Sequence, residues 1–206
     1  PLHWQQWTSE TYNDRMQGKG IIVNQPHFDF YHHLDWTMKA KILNDWKIKA
    51  EDISLIVYDF DGVMTDNSVI LSEDGKESVV VNRSDGLAVS ILRDMGLQQI
   101  ILSKETNSVV SVRAKKLNLP VLQGIDNKEF ILQQYCEEKK IPINKVVFIG
   151  NDINDVNLMR IAGFPLCPKD AYPEASAVAK FIIPASGGKG VIRELINHII
   201  KQETNV

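Results

Sequence analysis

From Asp52 onward the chain alternates short apolar runs with longer amphipathic stretches. The apolar runs lie at 55–59, 99–103, 121–122, 146–149 and 181–183. Between them the apolar positions recur at helical spacing, over about 86–95, 107–117, 128–139, 155–161 and 189–201. Strands alternating with helices predict an α/β fold, a doubly wound Rossmann-like parallel sheet. The interval 67–82 departs from this rhythm. There Val69, Leu71, Val79 and Val81 flank Ser72-Glu73-Asp74-Gly75-Lys76, which reads as a β-hairpin. It follows directly on the run at 55–59 and is expected to stand over the end of that strand as a flap.

The first 50 residues read differently. All four tryptophans and four of the five histidines lie within the first 46 positions. This shift places a boundary near Lys49–Asp52, separating an N-terminal extension (1–50) from an α/β domain (51–206). The extension has one strand-like patch, Gly20-Ile21-Ile22-Val23, and one amphipathic stretch from Leu34 to Trp46. The adjacent His32 and His33 cannot share one helix face, so they read as structural. Pro1 fits a removed initiator methionine or a piece of a longer protein.

Composition narrows the function classes. With 206 residues, 44% of them hydrophobic, the chain can bury one good core. A net charge of −3 leaves no basic footprint for nucleic acid. No apolar run reaches the length of a membrane span, and the start lacks the pattern of a secretory signal. The two cysteines, Cys136 and Cys167, lie far apart without metal-type spacing, as expected of reduced core thiols in a cytoplasmic protein.

The chemistry concentrates at the strand ends. Leu55-Ile56-Val57-Tyr58 runs into Asp59-Phe60-Asp61-Gly62. Two like charges about 4 Å apart, at an effective dielectric near 20, repel by about 4 kcal/mol. A metal cation or a lysine is needed to offset that. One of the carboxylates can attack phosphorus; the other, held protonated, can protonate a leaving oxygen. An Asx-turn with two exposed aspartates is the plainer alternative. Ser103 ends the second apolar run, where a hydroxyl and an amide can hold a phosphate oxygen. Lys128 opens a helix after the third, where its charge can neutralise both phosphate and nucleophile. Gly150-Asn151-Asp152-Ile153-Asn154-Asp155 follows the fourth with oxygen donors suited to a hard cation such as Mg²⁺. Singly, serine, lysine and the acidic loop have plain readings as a strand end, a surface charge and a helix cap. In a parallel sheet all four elements share the carboxyl edge, where such sheets bind ligands.

In this order the motifs resemble those of the haloacid dehalogenase superfamily, over about residues 52–201. The resemblance implies that Asp59 is the nucleophile and a metal ligand, and that Asp61 is the general acid/base with its carbonyl on Mg²⁺. It implies that Ser103 and Lys128 bind the phosphoryl group, that Asn151 ligates the metal, and that Asp152 and Asp155 support that site. Asn151 stands where most relatives carry aspartate.

Neither the interval from Asp59 to Ser103 nor that from Ser103 to Lys128 has room for a cap domain. The tail Ser186-Gly187-Gly188-Lys189-Gly190-Val191-Ile192-Arg193-Glu194 is similar to that of the capless 3-deoxy-octulosonate 8-phosphate phosphatase branch. That branch includes nonulosonate 9-phosphate phosphatases and the C-terminal domains of acylneuraminate cytidylyltransferases. The resemblance implies a homotetramer acting on a small sugar-acid phosphate, with Asp66, Arg83, Ser84, Glu105, Lys116, Lys189 and Arg193 as substrate-binding residues. Ser84 and Glu105 stand where octulosonate enzymes carry arginines, which favours the nine-carbon acids. Thr11–Met16 and His33–Trp36 resemble the closing stretch of an acylneuraminate cytidylyltransferase. The competing expectation is a non-catalytic oligomerisation module of a CMP-acylneuraminate synthetase.

Overall fold

The computed structural model describes residues 46–200, which all fall within one compact unit, Trp36–Val206. The strand-like patch at 20–23, the cytidylyltransferase-like strings at 11–16 and 33–36, and the histidine pair lie outside the described residues, as does the amphipathic stretch up to Trp46.

Six strands form one parallel sheet: β2 (Leu55–Tyr58), β5 (Gln98–Leu102), β6 (Val121–Leu122), β7 (Val146–Ile149), β8 (Phe164–Pro168) and β9 (Phe181–Ile183), in the order β6-β5-β2-β7-β8-β9. The expected α/β fold is present. Strand β2 is the central strand, buried along its whole length. It pairs with β5 on one side and β7 on the other, with Tyr58 opposite both Ile101 and Ile149. The chain builds outward from β2 to β6, then returns across β2 to β7. The strand order therefore reverses at β2, and its carboxyl end is the expected ligand crevice of such a sheet.

Burial on both faces explains why these strands read as continuous apolar runs rather than alternating ones. Alternate side chains feed two cores. Ile56 and Tyr58 join Leu92, Ile101 and Leu195 on one face, while Leu55 and Val57 join Leu132, Phe148 and Met159 on the other. Helices α1 (Arg83–Asp94), α2 (Ser108–Leu117), α3 (Lys128–Lys139) and α4 (Val156–Ile161) lie close to the expected stretches. Asn82, Asn107 and Asn127 cap the first three, each accepting an amide with its side chain. Cys136 and Cys167 are both buried in the core.

Three features differ from the pattern reading. Strand β8 and helix α5 (Pro173–Val178) were not expected, because Pro165 and Pro168 argue against an interior strand. Pro165 cannot donate, but its carbonyl accepts from Lys180 N at 2.8 Å. The helix expected over 189–201 is broken. Gly190 sits at φ +94° and delays its start, leaving α6 (Val191–Leu195), a 3₁₀ turn and strand β10 (Ile199–Ile200). Ile199 instead pairs with Ile48 of strand β1 (Ile48–Lys49). The hairpin is present but shorter than expected: β3 (Ile70–Leu71) pairs antiparallel with β4 (Glu77–Ser78), while Val79 and Val81 leave the ladder and pack against the core. Among the described residues no helix is long and apolar enough to cross a membrane.

Candidate active site

The loop after β2 is folded around one carbonyl. Phe60 O accepts amides from Val63, Met64 and Thr65, and Gly62 adopts φ +75°. A Cβ at Gly62 would lie 1.9 Å from the Asn151 side-chain nitrogen, so glycine meets both a backbone and a space requirement. Fully buried Thr65 organises this loop. Its Oγ1 accepts from Gly62 N and Asn67 N and donates to Asp61 Oδ1 at 3.4 Å. Sequence reasoning missed Thr65; its signal was a hydroxyl four places after Asp61.

The glycine-rich tail closes the other side of the loop. Gly188 N donates to Val63 O, and a Cβ at Gly187 would lie 2.3 Å from Gly62 O. The two glycines thus let the tail lie against the loop that follows β2.

The expected charges meet beneath this loop. Lys128 Nζ lies 2.8 Å from Asp59 Oδ1 and 2.7 Å from Asp155 Oδ1, with all three residues buried. Asp155 Oδ2 accepts the amides of Asn151 and Asp152. Its carboxylate is thereby committed to positioning Lys128 and the Gly150–Asp155 loop. Gly150 admits it, since a Cβ there would fall 2.6 Å from the Asp155 carboxyl.

Burial and the neighbouring Asp155 push the Asp59 carboxyl up to about 8, against Lys128 and the Phe60 amide, which lower it. Burial works against the Lys128 charge, yet Asp59 and Asp155 hold its ammonium above the usual lysine range. Asp61 is half-buried. Burial first, then Glu105, raise its carboxyl, while Thr65 opposes them. The two aspartates thus differ in surroundings: Asp59 touches the Lys128 ammonium directly, whereas Asp61 bonds the Thr65 hydroxyl and feels Lys128 only at a distance.

An open cavity of about 420 Å³ covers this edge. It is lined by Asp59, Asp61, Asn67, Ser103, Lys104, Glu105, Thr106, Asn151, Asp152 and Asn154. Ser103 is buried and its Oγ accepts from Glu105 N. Asn154 belongs to the expected oxygen-rich loop, whereas Asn67, Lys104 and Thr106 had not been singled out. Asn67 holds φ +65°, a backbone state uncommon outside glycine, at the cavity wall.

The expected substrate residues divide. Glu105 lines the cavity, one carboxylate oxygen accepting the amides of Thr106 and Asn107. Asp66 lines an adjoining crevice with Asn151 and Tyr172, and Lys189 Nζ reaches it at 3.5 Å. Lys116 lies in a separate groove between Val79, Val81 and α2. Arg83 begins α1 and is exposed, while Ser84 Oγ bonds the cap Asn82. Arg193 donates to Asn197, and its amide is capped by Asp85. Within one chain these last four do not line the cavity.

Asn151 Oδ1 is buried and accepts no hydrogen bond, a costly state without a partner. It shares the cavity with the Asp59 carboxylate and with Asp61. A buried, unsatisfied amide oxygen beside carboxylates suits a hard divalent cation. Among the described residues no group of three His, Cys, Asp or Glu side chains is arranged for a metal. The oxygen groups that do meet at the cavity are the Asp59 and Asp61 carboxylates and the Asn151 amide.

This geometry has relatives. The family model described as haloacid dehalogenase-like hydrolase matches residues 95–195. The fold is similar to the crystal structure of a HAD family hydrolase of Streptomyces avermitilis, with 42% identity, 75% of this chain and 89% of that one covered, and a TM-score of 0.73. The chain belongs to the haloacid dehalogenase-like hydrolase family. The hydrolase is also similar to 3-deoxy-D-manno-octulosonate 8-phosphate phosphatase of Moraxella catarrhalis, crystallised with magnesium, phosphate and KDO. There the identity is 29%, the coverage 71% and 84%, and the TM-score 0.68. It is 30% identical over 158 residues to N-acylneuraminate cytidylyltransferase A of Danio rerio, covering 75% of this chain. The chain spans 36% of the length of that relative. The expected enzyme class, a phosphatase of this family, agrees with these relationships.

Proposed function

We propose that the hydrolase is a Mg²⁺-dependent phosphatase that cleaves the phosphate ester of a sugar acid through an aspartyl-phosphate intermediate. The observation that carries this reading is the buried Lys128 bonded to both Asp59 and Asp155, with Asp59 lining an oxygen-rich cavity. Asp59 Oδ2 attacks phosphorus while Oδ1 stays on Lys128. Asp61, raised in pKa and half-buried, gives its proton to the departing alcohol oxygen and then takes one from the water that hydrolyses the acyl phosphate. Ser103 and Lys128 hold the phosphoryl oxygens. Bound Mg²⁺, held by Asp59, the Asp61 carbonyl and Asn151, would supply charge neutralisation to the phosphoryl group.

The substrate class rests on the relatives and on Glu105. Glu105 and Ser84 replace arginines of the octulosonate enzymes, so the contacts that pair an octulosonate are altered, which favours a nonulosonate 9-phosphate over 3-deoxy-octulosonate 8-phosphate. The exposed apolar residues Val69, Ile70 and Leu71 of the hairpin support assembly as a homotetramer. The residues before about 50 are assigned to a cytidylyltransferase-like extension.

The similarity to N-acylneuraminate cytidylyltransferase A favours a second reading, a non-catalytic oligomerisation module of such an enzyme. Phosphate release from a panel of sugar-acid phosphates, with and without Mg²⁺, separates the two. Mg²⁺-dependent release from one of them is expected. Stable oligomers inert on the whole panel would establish the second reading instead.

A further inference from the structure

Among the described residues that line the cavity, Lys104 is the one cationic side chain; Asp59, Asp61, Glu105 and Asp152 are all acidic. Lys128 is buried beneath and committed to Asp59 and Asp155. Together with a divalent cation it serves the phosphoryl group. The outer part of the cavity, where the alcohol half of an ester must lie, is then bordered by Glu105 and Asp152. Within one chain, that border repels any further anion on the substrate unless Lys104 meets it.

The backbone on both sides of Lys104 is fixed. Glu105 N donates to Ser103 Oγ, Gly124 N to Glu105 O, and Ile125 N to Ser103 O. The side chain itself is exposed, and among the described residues its one ion pair is with Asp126, at 3.7 Å, which is more exposed still. Such a surface pair holds its partners weakly, so the ammonium on its four-carbon stem is available to a ligand.

We infer that Lys104 is a specificity-determining residue, whose ammonium binds the carboxylate of the alcohol half of the phosphate ester. This rests on the phosphatase reading above. Lys104 acts on ground-state binding and touches neither the phosphorus nor the attacking oxygen. Its loss therefore falls on KM rather than kcat.

The test compares the full chain with its Lys104→Gln and Lys104→Arg variants, in Mg²⁺, on two esters. One is N-acetylneuraminate 9-phosphate, which carries the carboxylate; the other is p-nitrophenyl phosphate, which does not. For the sugar acid, Lys104→Gln is expected to raise KM about tenfold with kcat within about twofold, while Lys104→Arg keeps most of the affinity. KM for p-nitrophenyl phosphate should be unchanged. An equal change on both esters, or none on either, overturns the inference and leaves the phosphatase reading intact. Wild-type turnover of p-nitrophenyl phosphate alone overturns it too. Wild-type inactivity on both removes the proposed function and this inference together.

Discussion

Lys128 Nζ stands 2.8 Å from Asp59 Oδ1, both buried, and the same ammonium is shared with Asp155. One cation thus serves two buried carboxylates. Removing it leaves both without their partner, the costly half of any buried ion pair. Lys128→Met is expected to destabilise the metal-free protein by about 3–5 kcal/mol in urea unfolding. It should also abolish phosphate release. Arginine should not rescue, because its planar head does not fit a slot built for a point charge. Unchanged stability would show that the pair is not energetically coupled to the fold.

Asp59→Asn is expected to lower phosphate release by about three orders of magnitude or more while the circular dichroism stays native. Its stability should respond to pH in a specific sense. Burial and Asp155 raise the Asp59 carboxyl from 3.8 to about 8. A carboxyl raised in the folded state contributes stability that is fully present below its unfolded value and lost as pH rises through the folded one. The metal-free wild type should therefore lose stability between pH 4 and about 8, and the variant should lose less. Thermal unfolding of both proteins across that range, in chelator, measures the difference. Parallel curves would contradict the assignment.

Much of this arrangement was legible because parallel-sheet chemistry is local to strand ends. The runs at 55–58 and 146–149 announce themselves through burial on both faces, and each polar cluster follows its run at once. What escaped the sequence depends on contacts across the chain. Strand β8 is hidden by its prolines, and the tail reads as a helix until Ile199 is drawn to Ile48. The division of labour between Asp155, tied to Lys128, and Asn151, left with a bare oxygen, is set by side-chain directions that spacing does not encode. Lys104 escaped because a lone lysine beside a serine looks like any surface charge. Only the acidic lining around it gives it meaning.

In the proposed site Asn151 would offer a metal a neutral oxygen, and Asn151 Oδ1 is buried with no hydrogen-bond partner among the described residues. Asn151→Asp adds a negative charge beside Asp59. Without metal, the added repulsion should lower the melting temperature. With Mg²⁺, the charge should tighten binding by about tenfold or more. Titrating Mg²⁺ against melting temperature, independently of turnover, reads both effects. A variant with unchanged Mg²⁺ affinity would remove Asn151 from the donor set.

Trp46 shows that the α/β domain draws on residues just before the expected boundary. Its ring lies between Phe181, at 4.8 Å, and His198, at 3.9 Å, with both planes nearly parallel to it. Its Nε1 donates to Ile182 O, and its own carbonyl meets His198 Nδ1 at 2.9 Å. Two residues later Ile48 pairs with Ile199. The segment is thus clasped between the last strand of the sheet and the tail that follows α6. Trp46→Ala deletes both stacks and a buried hydrogen bond, and is expected to cost about 3–5 kcal/mol. Trp46→Phe keeps the stacking surface but loses the donor, so it should cost about 1–2 kcal/mol, the penalty for leaving Ile182 O unsatisfied. Urea unfolding of the three proteins gives this order. The clasp is remote from the cavity, so kcat and KM of the folded variants should match the wild type. Equal stability of Trp46→Ala and wild type would place the true start of the domain after residue 49.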